Sequence, residues 1–192
     1  MKTSTYRLVF CGIMVGLGTA LSMIPVIKLP LGGTVTLLSM LPVVLISLDF
    51  GIVWGFASAF VFSGAQLILG ITSSGLLGWG LSGPQLAGCI ALDYFAAYTV
   101  LGIAGIFGRK KTLSPVFGTA LALLLRFLCH FASGYIIFAN FEQFSLFGKA
   151  FAGRPLLYSA CYNGFYMLPE MILTCAAVYI MAKIRFFEKN DL

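Results

Sequence analysis

Charge is scarce in this chain: acids and bases together make up 9% of the 192 residues, and there is a single histidine. Soluble domains carry about 25% charged residues, so a water-facing surface cannot be assembled from this composition. No G-x-x-x-x-G-K-[ST] stretch is present, and the glycine-rich run "GWGLSGP" has no lysine, which excludes ATP use by the chain itself. Cys11, Cys89, Cys129, Cys161 and Cys175 lie inside apolar runs without a C-x-x-C pair, which argues against a disulfide framework and against a zinc site. No metal or cofactor is expected. A hydrolase built on His130 and Ser133 lacks a supporting G-x-S-x-G stretch, so enzyme function is not expected either. Internal repeats, low-complexity tails and soluble domains are also missing.

What the chain does have is apolar length: 60% of residues are hydrophobic, and the mean hydropathy is +1.01. This is the composition of an integral membrane protein, read as one domain over residues 1–192. All of the twelve bases but Arg126 sit at the ends of apolar runs and form no stripe, so they report topology and not nucleic-acid binding. Lys2 and Arg7 precede an apolar run that no small-x-small cleavage site closes; the run reads as a first transmembrane helix.

Six apolar spans follow, at Tyr6–Ile24, Val35–Leu48, Gly51–Ile71, Pro84–Phe107, Pro115–Ala139 and Pro155–Ile184. A membrane crossing needs about 20 residues, so the second span, interrupted by Pro42, is short. The expected fold is an all-α six-helix bundle in the cell membrane with both termini cytoplasmic. That orientation places Lys2, Arg7, Arg109, Lys110, Lys111, Lys183, Arg185 and Lys189 inside, against Lys28, Lys149 and Arg154 outside. The outside connections "PVIKLPLGGT", "TSSGLLGWGLSG" and "NFEQFSLFGKAFAGR" are rich in glycine and aromatics and read as lids over a site.

An ionisable side chain at membrane depth costs at least about 2.5–3.5 kcal/mol, so each one should face a partner or a cavity. Helical rise puts Asp93, His130 and Asn163, from three different spans, at one level about 12–14 Å below the outer surface. Each alone is equally well explained by hydrogen-bonded packing; the shared depth favours a site. Tyr94, Phe138, Tyr158 and Tyr162 lie around that level, with Gln66 near the outer end of the third span. Aromatic walls with a carboxylate, an imidazole and an amide suit a small, flat, nitrogen-rich and cationic ligand. Arg126 and Glu170 fall deeper, at about 18–22 Å, and are expected to form a structural ion pair. Gly12, Gly16, Gly18 and Ala20 in "GIMVGLGTA" give the first span a small-xxx-small face for close approach of another helix, either within the chain or from another membrane subunit.

The runs "LPLGGTVTLLSMLPVVLISLDFGIVWGF", "GPQLAGCIALDYFAAYTVLGIAGIF", "LRFLCHFASGYIIF" and "YSACYNGFYMLPEMIL" occur in this order over nearly the whole chain. Together they resemble the thiamine-specific substrate-binding (S) components of energy-coupling factor (ECF) transporters. The resemblance implies a bundle that captures thiamine from outside and delivers it with a transmembrane coupling subunit and two ATPase subunits. It places ligand contacts on Asp93, Tyr94, His130, Tyr158 and Asn163, and coupling-subunit contact on Gly12 and Gly16. Phe138 stands where some members carry tryptophan, and the loop before the second helix lacks a tryptophan and a glutamate that some members carry. Those departures leave open another heteroaromatic vitamin or a thiamine precursor as ligand.

Overall fold

A computed structural model describes residues 4–109, 111–138, 145–146, 149–150 and 153–184. Its helices are α1 (Ser4–Ser22), α2 (Leu41–Phe50), α3 (Ile52–Thr72), α4 (Gly83–Gly105), α5 (Ser114–Ile136) and α6 (Pro155–Lys183). Among the described residues, five of these are long and apolar enough to cross a membrane, and α2 is not. Strands β1 (Pro25–Lys28) and β2 (Thr34–Thr36) form an antiparallel hairpin. A second short hairpin joins β3 (Ser145–Leu146) and β4 (Lys149–Ala150). The remainder of the expected third lid, "NFEQFSLFGKAFAGR", lies mostly outside the described residues.

The six-helix bundle is present, but its second span is not the helix expected over Val35–Leu48. Val35 and Thr36 belong to β2, and the helix begins only at Leu41, with Pro42 in its first turn. Leu31 and Leu38 adopt positive φ of 59° and 63°, conformations that no helix can contain. Extended backbone at this depth is tolerated only inside protein. Here Val35, Thr36, Ser39 and Met40 are all buried, and the Thr36 N–H and hydroxyl both donate to Glu170 Oε1 on α6.

Helix α2 lies at the bundle centre, with Pro42 through Leu48 buried on every side. Ser47 locks it to α4: its hydroxyl donates to Gly102 O at 2.5 Å and accepts from Gly105 N at 2.9 Å. Small residues let the helices approach. A Cβ on Gly102 would sit 2.5 Å from Phe56 N, and one on Gly118 would sit 1.9 Å from Ala104 O. The opposite faces expose Val53, Val61, Ile68, Leu128 and Ile172, an apolar coat suited to lipid. At the end of the bundle where α2 and α4 finish, Arg109 pairs with Asp49 at 2.7 Å.

Helix α4 departs from regular geometry where it carries Asp93. Ile90–Ala96 is π-helical, and Val100–Gly105 tightens to a 3-10 helix. A π-segment inserts an extra residue per turn and so re-aims the side chains that follow, which is why such segments gather at functional sites.

Candidate functional site

A cavity of about 470 Å³ opens inside the bundle between α3, α4, α5, α6 and the β1–β2 hairpin. Asp93 and Tyr94 from α4, His130 and Phe138 from the α5 end, Tyr158, Tyr162 and Asn163 from α6, and Gln66 from α3 all line it. The level that helical rise assigned to Asp93, His130 and Asn163 is therefore a shared cavity wall.

At that level the polar groups hold one another. The Asp93 carboxylate meets His130 Nδ1 at 2.8 Å, and its second oxygen accepts from the Ser133 hydroxyl. In the neutral tautomer that donates from Nδ1 to this carboxylate, Nε2 offers a lone pair. That Nε2 is buried and has no hydrogen-bond partner among the described residues. Asn163 Nδ2 donates to His130 O at 3.2 Å and to Ser159 O at 2.9 Å, while its Oδ1 accepts from Tyr166 Oη at 2.9 Å. Asn163 thus braces the His130 turn of α5 against α6.

The walls are aromatic. Tyr158 and Tyr162 lie 5.8 Å apart at a tilt of 31°; Phe138 meets Trp79 edge-on at 6.2 Å; and His130 stands edge-on to Tyr98 and Tyr166. Tyr94 fits because Gly70 faces it: a Cβ there would lie 2.1 Å from the phenol oxygen. The hairpin closes over one side, with Gly33 N–H donating to Tyr162 Oη at 3.0 Å. The left-handed Gly32, with φ 86°, lies against Trp79, leaving 2.8 Å between a Cβ and the indole. Gln66 donates to Ser22 Oγ at 2.8 Å, tying α3 to the end of α1.

A profile of the family described as "Thiamine transporter protein" matches residues 8–188. The chain belongs to this family. It is accordingly a multi-pass membrane transporter subunit, not an enzyme. The thiamine transporter ThiT of Bacillus subtilis (strain 168) is 28% identical over 165 residues, covering 79% of this chain and 76% of that protein. A solved structure of ThiT from Listeria monocytogenes superposes with a TM-score of 0.70 at 16% identity, over 95% of this chain and 97% of that one. The likeness places the six-helix arrangement in the same fold.

One expectation for this transporter is corrected. Arg126 and Glu170 are both buried on facing helices, yet among the described residues they do not form an ion pair. Each instead clasps the turn between β2 and α2. Glu170 Oε1 takes the Thr36 donors, and Arg126 Nη1 contacts Met40 Sδ while its guanidinium lies over the Tyr98 ring at 4.4 Å. The expected pairing rested on the similar depth of the two residues, and depth alone does not fix a partner. Arg126 and Glu170 also line the cavity.

Sequence reasoning passed over Ser133, Tyr98, Thr36 and Ser39 as cavity and support residues. Ser133 follows His130 by three positions, a spacing that puts both on one helical face. Tyr98 carried no such cue, since the π-segment resets the face of α4. On α1, Gly18 and not Gly12 or Gly16 meets the core: its Cβ would lie 2.9 Å from Ser39 O, whereas nothing approaches Gly12 or Gly16 within 4 Å. Gly12, Gly16 and Ala20 face outward.

Proposed function

We propose that this chain is the thiamine-capturing membrane subunit, or S component, of an ECF-type vitamin importer. Thiamine joins an aminopyrimidine to a thiazolium cation, two flat rings with one positive charge. The observation that carries the reading is the Asp93–His130–Ser133 cluster facing an aromatic-walled cavity. Its carboxylate supplies negative charge to a cation, the free His130 Nε2 supplies an acceptor for an amino group, and Phe138, Tyr158 and Tyr162 supply faces for the rings. The cavity of about 470 Å³ also falls within the usual range for small-molecule sites, about 300–1,000 Å³.

Capture proceeds from the side closed by the β1–β2 hairpin and Trp79, which the positive-inside pattern assigns to the exterior. With no ATP-binding loop of its own, the chain draws on a transmembrane coupling subunit and two ATPase subunits. The outward face of α1 at Gly12, Gly16 and Ala20, open to 4 Å at both glycines, suits close helix approach by that coupling subunit. Titration of purified protein with thiamine, followed by aromatic fluorescence, is expected to give a saturable change below micromolar concentration. No saturable response in that range overturns the reading.

A further inference from the structure

The β1–β2 hairpin closes the bundle wall between α1 and α6: α1 packs on α2 and α3, while α6 packs on α5 and β2. Two contacts fix its depth. Ser22, where α1 ends, meets Gln66 six residues short of the mouth end of α3, about 9 Å below it. Thr36 on β2 meets Glu170 fifteen residues into α6, about 22 Å from the mouth end of that helix. The hairpin therefore starts inside the bundle and climbs to Lys28; it does not rest on top.

Its two faces differ. Pro25, Lys28, Thr34 and Thr36 look into the cavity. Ile24, Val26, Ile27 and Leu37 line no part of it, yet they stay 69%, 66%, 42% and 58% exposed. Together they extend the exposed apolar column of α1, Leu8, Val9, Ile13 and Leu17, with no charge before Lys28. Large branched side chains do not invite another helix, whose close approach needs small residues; they suit fluid acyl chains. Hydrocarbon penalises an open strand edge, but few donors are left here. The Met23 N–H donates to Ala20 O at 3.1 Å, Ile24 N–H to Leu21 O at 3.2 Å and Leu29 N–H to Gly33 O at 2.7 Å. Pro25 has no N–H, and Ile27 and Lys28 pair with β2.

We propose that the outward face of the hairpin is a lipid-contact surface, on which acyl chains of the leaflet at the cavity-mouth end pack directly. The first membrane crossing is then a helix completed by a strand, and on this side one layer of hairpin separates the cavity from lipid.

The test places single cysteines at Val26, Leu37, Ile172 and Gly78 in the full-length protein, its five native cysteines replaced by alanine. Each variant carries an environment-sensitive fluorophore and is held one copy per nanodisc, with ordinary or brominated acyl chains. Ile172 on α6 is the lipid standard, and the exposed Gly78, in the connection after α3, is the water standard. Val26→Cys and Leu37→Cys are expected to lose as much emission to brominated chains as Ile172→Cys and to resist aqueous iodide, whereas Gly78→Cys loses emission to iodide alone. Quenching of the hairpin labels by iodide overturns the proposal, because that face is then wet. Quenching by neither agent also overturns it, because protein then covers the face. The two labels sit on separate arms of the hairpin, so a fold lost in one variant leaves the other to decide.

Discussion

At Asp93 one carboxylate does two jobs, holding His130 through one oxygen and Ser133 through the other while remaining the negative charge nearest the ring level. Asparagine replaces one of the two accepting oxygens with an amide that donates, so Asp93→Asn loses one of the two contacts as they stand and also loses the charge. Thiamine affinity is expected to fall by about 1–3 kcal/mol, read by fluorescence titration of protein that still purifies normally. An unchanged affinity would assign Asp93 to packing alone. Ser133→Ala removes only the neutral partner and should cost about 0.5–1.5 kcal/mol in the same assay. At this scale much of the site was legible: an acid, an imidazole and an amide in apolar helices are costly, and helical rise fixes their depth. Ser133 was harder to read because a serine in an apolar helix can satisfy itself on its own backbone. Arg126 and Glu170 misled because opposite charges at similar depth suggest a pair, and nothing in their spacing reveals the turn at residues 36–40 that each of them contacts.

Helices in lipid gain little from hydrophobic burial against each other and depend on close packing, so glycine positions decide the element contacts. Gly118 on α5 is the sharpest case: a Cβ there would stand 1.9 Å from the Ala104 carbonyl oxygen, a backbone atom that cannot swing aside. Gly118→Ala should therefore destabilise by about 1–3 kcal/mol, lowering the thermal midpoint in detergent. A methyl added at Gly64 on α3 would meet nothing within 4 Å. Gly64→Ala is expected to be neutral or to stabilise by up to about 1 kcal/mol, since alanine is the better helix former. Equal stabilisation of the two variants would mean that helix propensity, and not approach, governs these positions. Sequence alone shows which residues are glycine but not which face they occupy. The glycines of α1 looked alike, yet Gly18 meets Ser39 and Phe62 while Gly12 and Gly16 face outward. The π-segment of α4 was equally invisible, because hydrophobic periodicity over seven residues does not distinguish 3.6 from a wider turn. The second span failed for a related reason: "VTLLSM" is apolar enough to continue a helix, and only the positive φ at Leu38 reveals the break.

For the whole molecule the remaining question is direction, because the fold defines two ends and the charges decide which is inside. One end gathers Arg7, Arg109, Lys111 and Lys183 with the Arg109–Asp49 pair, whereas the hairpin end holds Lys28 and Arg154. By the positive-inside pattern the first end, with its basic excess, is expected to face the cytoplasm and the cavity mouth to face outward. Lys111 and Gly78 are both exposed, on opposite ends, and serve as reporters. In a background with the five native cysteines replaced by alanine, Gly78→Cys should react with a membrane-impermeant maleimide on intact cells. Lys111→Cys should react only after permeabilisation. The reverse pattern would put the hairpin and Trp79 in the cytoplasm and make capture from outside untenable, even with thiamine binding intact. The expected pattern would give the residues' depths a physical meaning: a ligand entering past the aromatic rim would reach Asp93 and His130 before the deeper Arg126 and Glu170. A binding site sealed from the cytoplasm in this way cannot release its cargo without rearrangement, the step that the proposed ATP-consuming partners would drive.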